Sequence, residues 1–260
     1  MRLLLLLFPV LLQAQAKPLS QAHAHNDYAH ERPLLDALDQ GFAEVEADVF
    51  LIDGDLYVSH VMPLWKDSTR TLKSLYLEPL KRRIEANGGR VFPADTGFFY
   101  LMIDIKTEPD TTYKVIRQQL MDYAAMISLV RDSLDEPHKP VKVFLSGNRP
   151  RLELLLTQTP QPAALDGRMD DLGKAIPLAL MPVVSAPYKE VLRWNGRGKP
   201  DERDLQCLHY LVQDAHAEGK KVRLWGIPDK PRVWAFLLSQ GVDLINTDKL
   251  EEFNRWVAGR

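Results

Sequence analysis

The chain has one cysteine in 260 residues, Cys207. No intramolecular disulfide is possible, which excludes the small disulfide-stapled scaffolds common among secreted domains. A charge excess is also missing: 33 Lys and Arg stand against 35 Asp and Glu, for a formal net charge of −2. That balance excludes a general nucleic-acid binder, which needs a basic surface. Beyond the N-terminus no run is apolar for the about 20 residues that a membrane-spanning helix takes. Gly-x-Gly-x-x-Gly is absent after the first strand-like segment, which argues against a dinucleotide-binding open sheet.

What is present begins with MRLLLLLFPVLLQAQAKP. Arg2 gives a positive start, Leu3 to Leu12 an apolar run, and Ala14-Gln15-Ala16 a small-residue cleavage pattern. We expect residues 1–16 to be a secretory signal peptide and the protein to be secreted or periplasmic. Residues 17–260 then make one domain, close to the about 250 residues of a single α/β barrel.

After Lys17, strand-like and helix-like segments alternate. Strands are expected at 19–25, 42–51, 98–106, 141–145, 163–165, 178–184, 222–227 and 242–246. Asp53-Gly54 is a hairpin-turn signal, so Leu56 to His60 should return antiparallel to the second strand. Helices are expected from Pro33 to Gly41, Leu72 to Ala86, Thr111 to Asp132, Leu152 to Leu156, Asp201 to Gly219, Pro231 to Gln240 and Leu250 to Val257. FFYLMIDIK, residues 98–106, is apolar almost throughout, as a strand covered on both faces must be. Eight strands alternating with helices predict a (β/α)8 TIM-type barrel, with an open doubly wound sheet as the alternative.

Barrels of this type carry their active sites at the C-terminal ends of the strands. His23, His25 and Asn26 fall at the end of the first strand, Glu46 and Asp48 on the second, Asp104 and Lys106 at the end of the third. Residues i and i+2 share one side of a strand, so both acidic and basic groups can point inward together. Asn26, Glu46, Asp48 and Asp104 form a hard-oxygen set suited to Ca²⁺ or Mg²⁺. His25 and His60 would supply a general base and a general acid near neutral pH. Lys106 and the cation would neutralise a phosphate gaining charge in the transition state. The implied reaction is cleavage of a phosphodiester. Arg149 and Arg168 follow strands and are candidates for phosphate or headgroup contacts.

Taken in order, His25-Asn26-Asp27-Tyr28, Glu46-Ala47-Asp48, His60 and Asp104 resemble the phosphatidylinositol-phospholipase-C-like phosphodiesterase superfamily. Glycerophosphodiester phosphodiesterases belong to the same superfamily; their Gly-x-x-x-x-Glu-x-Asp spacing resembles Gly41 through Asp48, and their acidic-x-Lys strand resembles Asp104-Ile105-Lys106. Trp225 and Thr247-Asp248 resemble their late strand ends. The wording HAHNDY, RPLLDALDQGF and VEADV is most similar to a poorly characterised branch that includes the yeast "altered inheritance of mitochondria" proteins. The resemblance implies a TIM-type barrel over residues 17–260 and a divalent cation held by Asn26, Glu46, Asp48 and Asp104. It implies His25 as the base that activates an attacking hydroxyl and His60 as the acid that protonates the leaving oxygen. Lys106, Arg149, Arg168 and Trp225 would contact a small-molecule or lipid-headgroup phosphodiester. Two departures stand out: the His-Arg-Gly of glycerophosphodiesterases is replaced by His-Asn, and their third carboxylate, usually Glu, is the shorter Asp104.

Two other readings remain open. His23-Ala24-His25 resembles the His-x-His of amidohydrolase-type barrels, which bind zinc or a metal pair and take further histidines from later strands. His138, His209 and His216 do not sit at such strand ends. Alternatively, the chain is a secreted barrel that binds without catalysing.

Overall fold

The computed structural model describes residues 17–93, 95–130 and 139–260. The expected signal peptide lies outside these residues, as does His138. The described strands are β1 (Leu19–Ala24), β2 (Phe42–Ile52), β3 (Asp55–Val58), β4 (Phe99–Ile105), β5 (Val141–Gly147), β6 (Ala164–Gly167), β7 (Val183–Pro187), β8 (Lys221–Trp225) and β9 (Leu244–Thr247). They run in the order β1-β9-β8-β7-β6-β5-β4-β2-β3, and β1 also pairs with β2. Eight parallel strands therefore close a barrel, and β3 folds back antiparallel on the outer half of β2. The described α-helices are α1 (Leu35–Asp39), α2 (Glu78–Ala86), α3 (Pro109–Asp122), α4 (Leu152–Thr157), α5 (Tyr188–Val191), α6 (Glu202–Ala217), α7 (Pro231–Ser239) and α8 (Leu250–Ala258). This is the (β/α)8 barrel that the alternation of segments predicts.

The pleat sorts each strand into two faces. Outward residues such as Val45, Ala47, Leu101, Ile103, Val143 and Leu145 join the helices' apolar faces in one large core. Inward residues Met102, Phe144, Ala164, Val183 and Leu244 plug the lower barrel. Burying each large side chain stabilises the fold by about 1.5–3 kcal/mol. Above the plug the inward positions turn polar: Glu46, Asp48, Ser146, Asp166, Ser185, Arg223 and Asn246 are all buried. A barrel interior that is polar only toward its C-terminal ends marks where chemistry is placed.

Two segments differ from expectation. The third helix ends at Asp122, not Asp132, because Ile127 leaves the helical stripe and bridges Val141 at the start of β5. The sixth barrel strand begins at Val183, not Leu178. Residues 177–182 form a turn in which Leu180 and Met181 both donate to the Pro177 carbonyl. Prolines at 177 and 182 favour that turn over a ladder. The shift brings Ser185 and Pro187 to the barrel mouth.

Candidate active site and metal centre

The acidic cluster follows directly from strand register. Asp48 on β2 is paired with Asp104 on β4, and Glu46 with Met102. With two-residue periodicity, Glu46, Asp48 and Asp104 all face inward. Their carboxylate oxygens lie within 4.8 Å of one another. Lys106 Nζ stands 3.1 Å from Asp48 Oδ2 and 3.0 Å from Asp104 Oδ1. Burial pushes the Asp104 carboxyl up to about 6, with Lys106 opposing. Burial also raises Asp48, again against the pull of Lys106. Burial acts upward on Glu46 too, but its hydrogen bond to His23 and the Arg223 charge outweigh it and hold Glu46 well below the usual carboxylate range.

Crowded carboxylates of this kind suit a cation, and two details bear on the fit. Asp48 Oδ1 is buried with no hydrogen-bond partner. The Tyr28 hydroxyl lies 2.7 Å from Asp48 Oδ2 and 2.6 Å from Asn26 Oδ1. One phenolic proton cannot serve both acceptors, and Asp48 Oδ2 also has Lys106 Nζ at 3.1 Å, so with the Tyr28 proton on Asp48 the Asn26 Oδ1 is open to another partner. An all-oxygen set of three carboxylates and one amide fits Ca²⁺ or Mg²⁺ rather than zinc. Among the described residues, no group of three or more candidate ligands includes a histidine. Both ring nitrogens of His23 face Glu44, Glu46 and Arg223, which ties it into the buried ionic network.

His25 lies just past β1, and its Nδ1 is 2.7 Å from Asp248 Oδ1, just past β9. A carboxylate only accepts, so Nδ1 carries the proton and Nε2 is the basic nitrogen. Burial lowers the His25 pKa, but the hydrogen bond to Asp248 and the charges of Glu46 and Asp248 outweigh it, and the net direction is up. For Asp248, burial is outweighed by the His25 hydrogen bond and charge, and its pKa falls. Asn26 adopts a left-handed conformation, φ 48°, which Asn tolerates better than most residues. This turn brings Asn26 and Tyr28 back over the cluster. The loop is fixed by buried Asp27, whose Oδ2 accepts from Leu34 N at 2.6 Å.

His60 arrives by the β2–β3 hairpin. β2 runs past the barrel rim, turns at Asp53-Gly54 and returns, so Ser59 N donates to the Asp48 carbonyl at 3.2 Å. His60 Nδ1 is then 3.1 Å from the Tyr28 hydroxyl and 3.6 Å from Asp48 Oδ2. The imidazole is largely exposed and faces the opening.

Below the cluster lies a buried ionic floor. Fully buried His23 places Nδ1 2.7 Å from Glu44 Oε1 and Nε2 3.1 Å from Glu46 Oε2. Arg223 Nη1 lies 2.9 Å from His23 Nε2 and donates to Asn246 Oδ1 at 2.9 Å, while its Nε donates to Ser185 Oγ at 3.0 Å. Asp166 accepts from Ser146 and Ser185 hydroxyls at 2.7 and 2.6 Å and from Arg168 Nη1 at 3.0 Å. Buried charges persist only when paired and hydrogen-bonded, and this network satisfies them from seven strands. It holds Glu46 in place from beneath.

These groups open into one cleft of about 590 Å³, lined by His25, Asn26, Glu46, Asp48, His60 and Asp104 on one side. Lys106, Arg168, Glu190, Arg223 and Trp225 complete its walls. Residues 12–161 match the AIM6-like phosphodiesterase domain. The chain belongs to that family. It is 31% identical over 271 residues to "Altered inheritance of mitochondria protein 6" of Eremothecium gossypii, covering 92% of this chain and 69% of that protein. It is 28% identical over 255 residues to a homolog in Arthroderma benhamiae, covering 87% of this chain and 80% of the relative. The chain spans 64% to 80% of the length of the curated relatives it matches. Among solved structures, a glycerophosphodiester phosphodiesterase from Agrobacterium tumefaciens is similar with a TM-score of 0.49. That alignment has 15% identity and covers 93% of this chain and 100% of that one.

Within this phosphodiesterase-type barrel, nine of the ten expected site residues line the cleft: His25, Asn26, Glu46, Asp48, His60, Asp104, Lys106, Arg168 and Trp225. Arg149 does not join them. Its Nη1 donates to the Asp166 carbonyl at 2.6 Å and to Asp171 Oδ2 at 2.8 Å, tying β6 to the turn that follows. His209 and His216 sit on the exposed side of α6. The sequence reading gave no role to Tyr28, Arg223, Asp166 or Ser185. Arg223 and Trp225 are two apart on β8 and so share a face, a pattern that was available. Ser185 was hidden by the displaced strand boundary. The pairing of Asp248 with His25 joins the first and last strands, which only barrel closure reveals.

Proposed function

We propose that the protein is a metal-dependent phosphoric diester hydrolase. The observation that carries this reading is that the His25–Asp248 pair and His60 stand in one cleft over the Glu46–Asp48–Asp104 cluster. Membership of the AIM6-like phosphodiesterase domain family supports the reaction class. His25 Nε2, its tautomer set by Asp248, takes the proton from an attacking hydroxyl or water. His60, exposed at the opening, gives a proton to the leaving oxygen. Glu46, Asp48, Asp104 and Asn26 hold a divalent cation, Ca²⁺ or Mg²⁺. When bound, that cation withdraws charge from the phosphate as a Lewis acid. Lys106 and Arg168 add positive charge around the same phosphate, and Trp225 offers a flat apolar wall to the substrate's organic part. The substrate is a small-molecule or lipid-headgroup phosphodiester, and residues 1–16 direct export, so the protein acts outside the cytoplasm.

The test is hydrolysis of a panel of glycerophosphodiesters, phosphoinositides and sphingomyelin-type lipids, run beside amides and lactones. Turnover of a diester that is lost in both His25→Ala and His60→Ala supports the reading. Turnover confined to the amides or lactones contradicts it.

A further inference from the structure

The loop between His60 and Arg70 carries the three most exposed large apolar side chains among the described residues, Leu64, Trp65 and Val61, with Met62 beside them. Val61 is 66% exposed, Met62 53%, Leu64 91% and Trp65 75%. Four large apolar residues within five positions is unlike the scattered exposure normal on a soluble surface.

The loop is held in this state. Val58 N donates to the Arg70 carbonyl at 2.8 Å, and Tyr57 bridges Thr71, so the two ends meet. Arg70 Nη2 donates to the Tyr28 carbonyl at 2.8 Å, which fastens the loop to the mouth of the cleft. Inside it, Asp67 Oδ1 accepts from Thr69 N and Oγ1 at 2.9 and 2.6 Å. Lys66 pairs with Asp53 at the hairpin tip, so the apolar stretch is flanked by a neutralised cation rather than a bare one. A closed loop of this kind keeps its apolar tip outward and has no core to enter.

Position decides what covers the tip. The cleft beside it gathers charged and polar side chains where a phosphate would sit, with Met169, Pro187 and Trp225 leaving apolar surface among them. Val61 directly follows His60, the group placed at the leaving oxygen. The apolar surface therefore lies on the leaving-group side of the reacting phosphate. Trp beside aliphatic residues is the composition that settles at a bilayer's interface.

We infer that Val61, Met62, Leu64 and Trp65 form a membrane-contact loop that seats the protein on a phospholipid surface with the lipid-alcohol side of the scissile bond toward the loop. This inference rests on the phosphodiesterase reading and narrows it to lipid substrates. Because Lys66 is neutralised and the chain's net charge is −2, contact is driven by apolar burial and is insensitive to salt.

The experiment uses residues 17–260, which contain every described element of the barrel, and the double variant Leu64→Ser/Trp65→Ser. Each is sedimented with phosphatidylcholine vesicles at low and at high salt. In parallel, each is assayed on bis(p-nitrophenyl) phosphate, a soluble diester, and its oligomeric state is measured by sedimentation velocity. The expected result is vesicle binding by the unaltered protein at both salt levels, weakened at least about tenfold in the variant, with equal rates on the soluble diester. The inference is overturned if the unaltered protein does not bind, if the variant binds equally well, or if binding needs anionic lipid and vanishes with salt. It is also overturned if the loop instead joins two copies of the chain, seen as a dimer that the variant loses. Failure of both proteins to cleave any diester, with vesicle binding intact, would count against the phosphodiesterase reading and not against the membrane contact.

Discussion

Asp248→Asn tests how His25 is prepared. The carboxylate lies 2.7 Å from His25 Nδ1 and belongs to the far end of the chain. An Asn at 248 can present its amide NH₂ to Nδ1, which moves the ring proton to Nε2 and removes the base. A hydrogen bond to a charged group contributes about 1.5–3 kcal/mol, or about 10- to 150-fold in rate. Fully buried dyads of this design lose about 10⁴-fold when the carboxylate becomes an amide. Asp248 is 59% exposed, so solvent screens much of its charge, and the expected loss in kcat/KM is about 10²-fold. The pH profile adds a sign. Asp248 raises the His25 pKa against the lowering by burial, so its removal should move the acid limb of kcat/KM to lower pH. Metal affinity should change little, because Asp248 is outside the carboxylate cluster and touches the proposed ligands only through a long 3.5 Å bond from Asn26 Nδ2. A variant with full activity and an unmoved acid limb would refute the dyad.

Asp27→Asn should stabilise the fold in a pH-dependent way. Burial raises the Asp27 carboxyl from 3.8 to about 7. Below pH 3.8 both folded and unfolded chains hold the proton; from there to about 7 only the folded chain does, so stability falls as pH rises and then levels. The span is up to about 4 kcal/mol. The variant's melting temperature should exceed the parent's by more at pH 8 than at pH 5, and an equal difference at both would contradict the burial account. Gly147→Ala should damage both fold and site. Gly147 has φ +66°, and an added Cβ would meet Asp104 Oδ1 at 1.9 Å and the Ile105 carbonyl at 2.6 Å. A stability loss of about 1–3 kcal/mol in urea unfolding, with weakened metal binding, is expected; unchanged values would show that Asp104 does not need its present position.

The barrel was legible because its signals are local. Phe98 to Lys106 reads as a doubly covered strand, and Asp53-Gly54 as a hairpin, from a few adjacent residues. The acidic cluster was legible for the same reason: Glu46 and Asp48 are two apart, and Asp104 lies near the end of the next barrel strand. Boundaries set by tertiary pairing were not. Ile127 fits a helical stripe but pairs with Val141, and the strand expected at Leu178 waits until Val183. Arg149 looked like a mouth residue from its place after β5, yet its partners are Asp171 and the Asp166 carbonyl. The floor around Arg223 was unreadable because it joins side chains from β1, β2, β6, β7, β8 and β9, and no sequence spacing encodes that meeting.

The most direct test of the central claim is the rate of phosphodiester hydrolysis by the unaltered protein and by Asp48→Asn, each stripped with EDTA and then titrated with Mg²⁺ or Ca²⁺. The account predicts loss of activity on stripping and saturable recovery in the unaltered protein. For Asp48→Asn it predicts recovery that needs much higher metal, or none. Full activity after stripping, or identical recovery in both proteins, would contradict it.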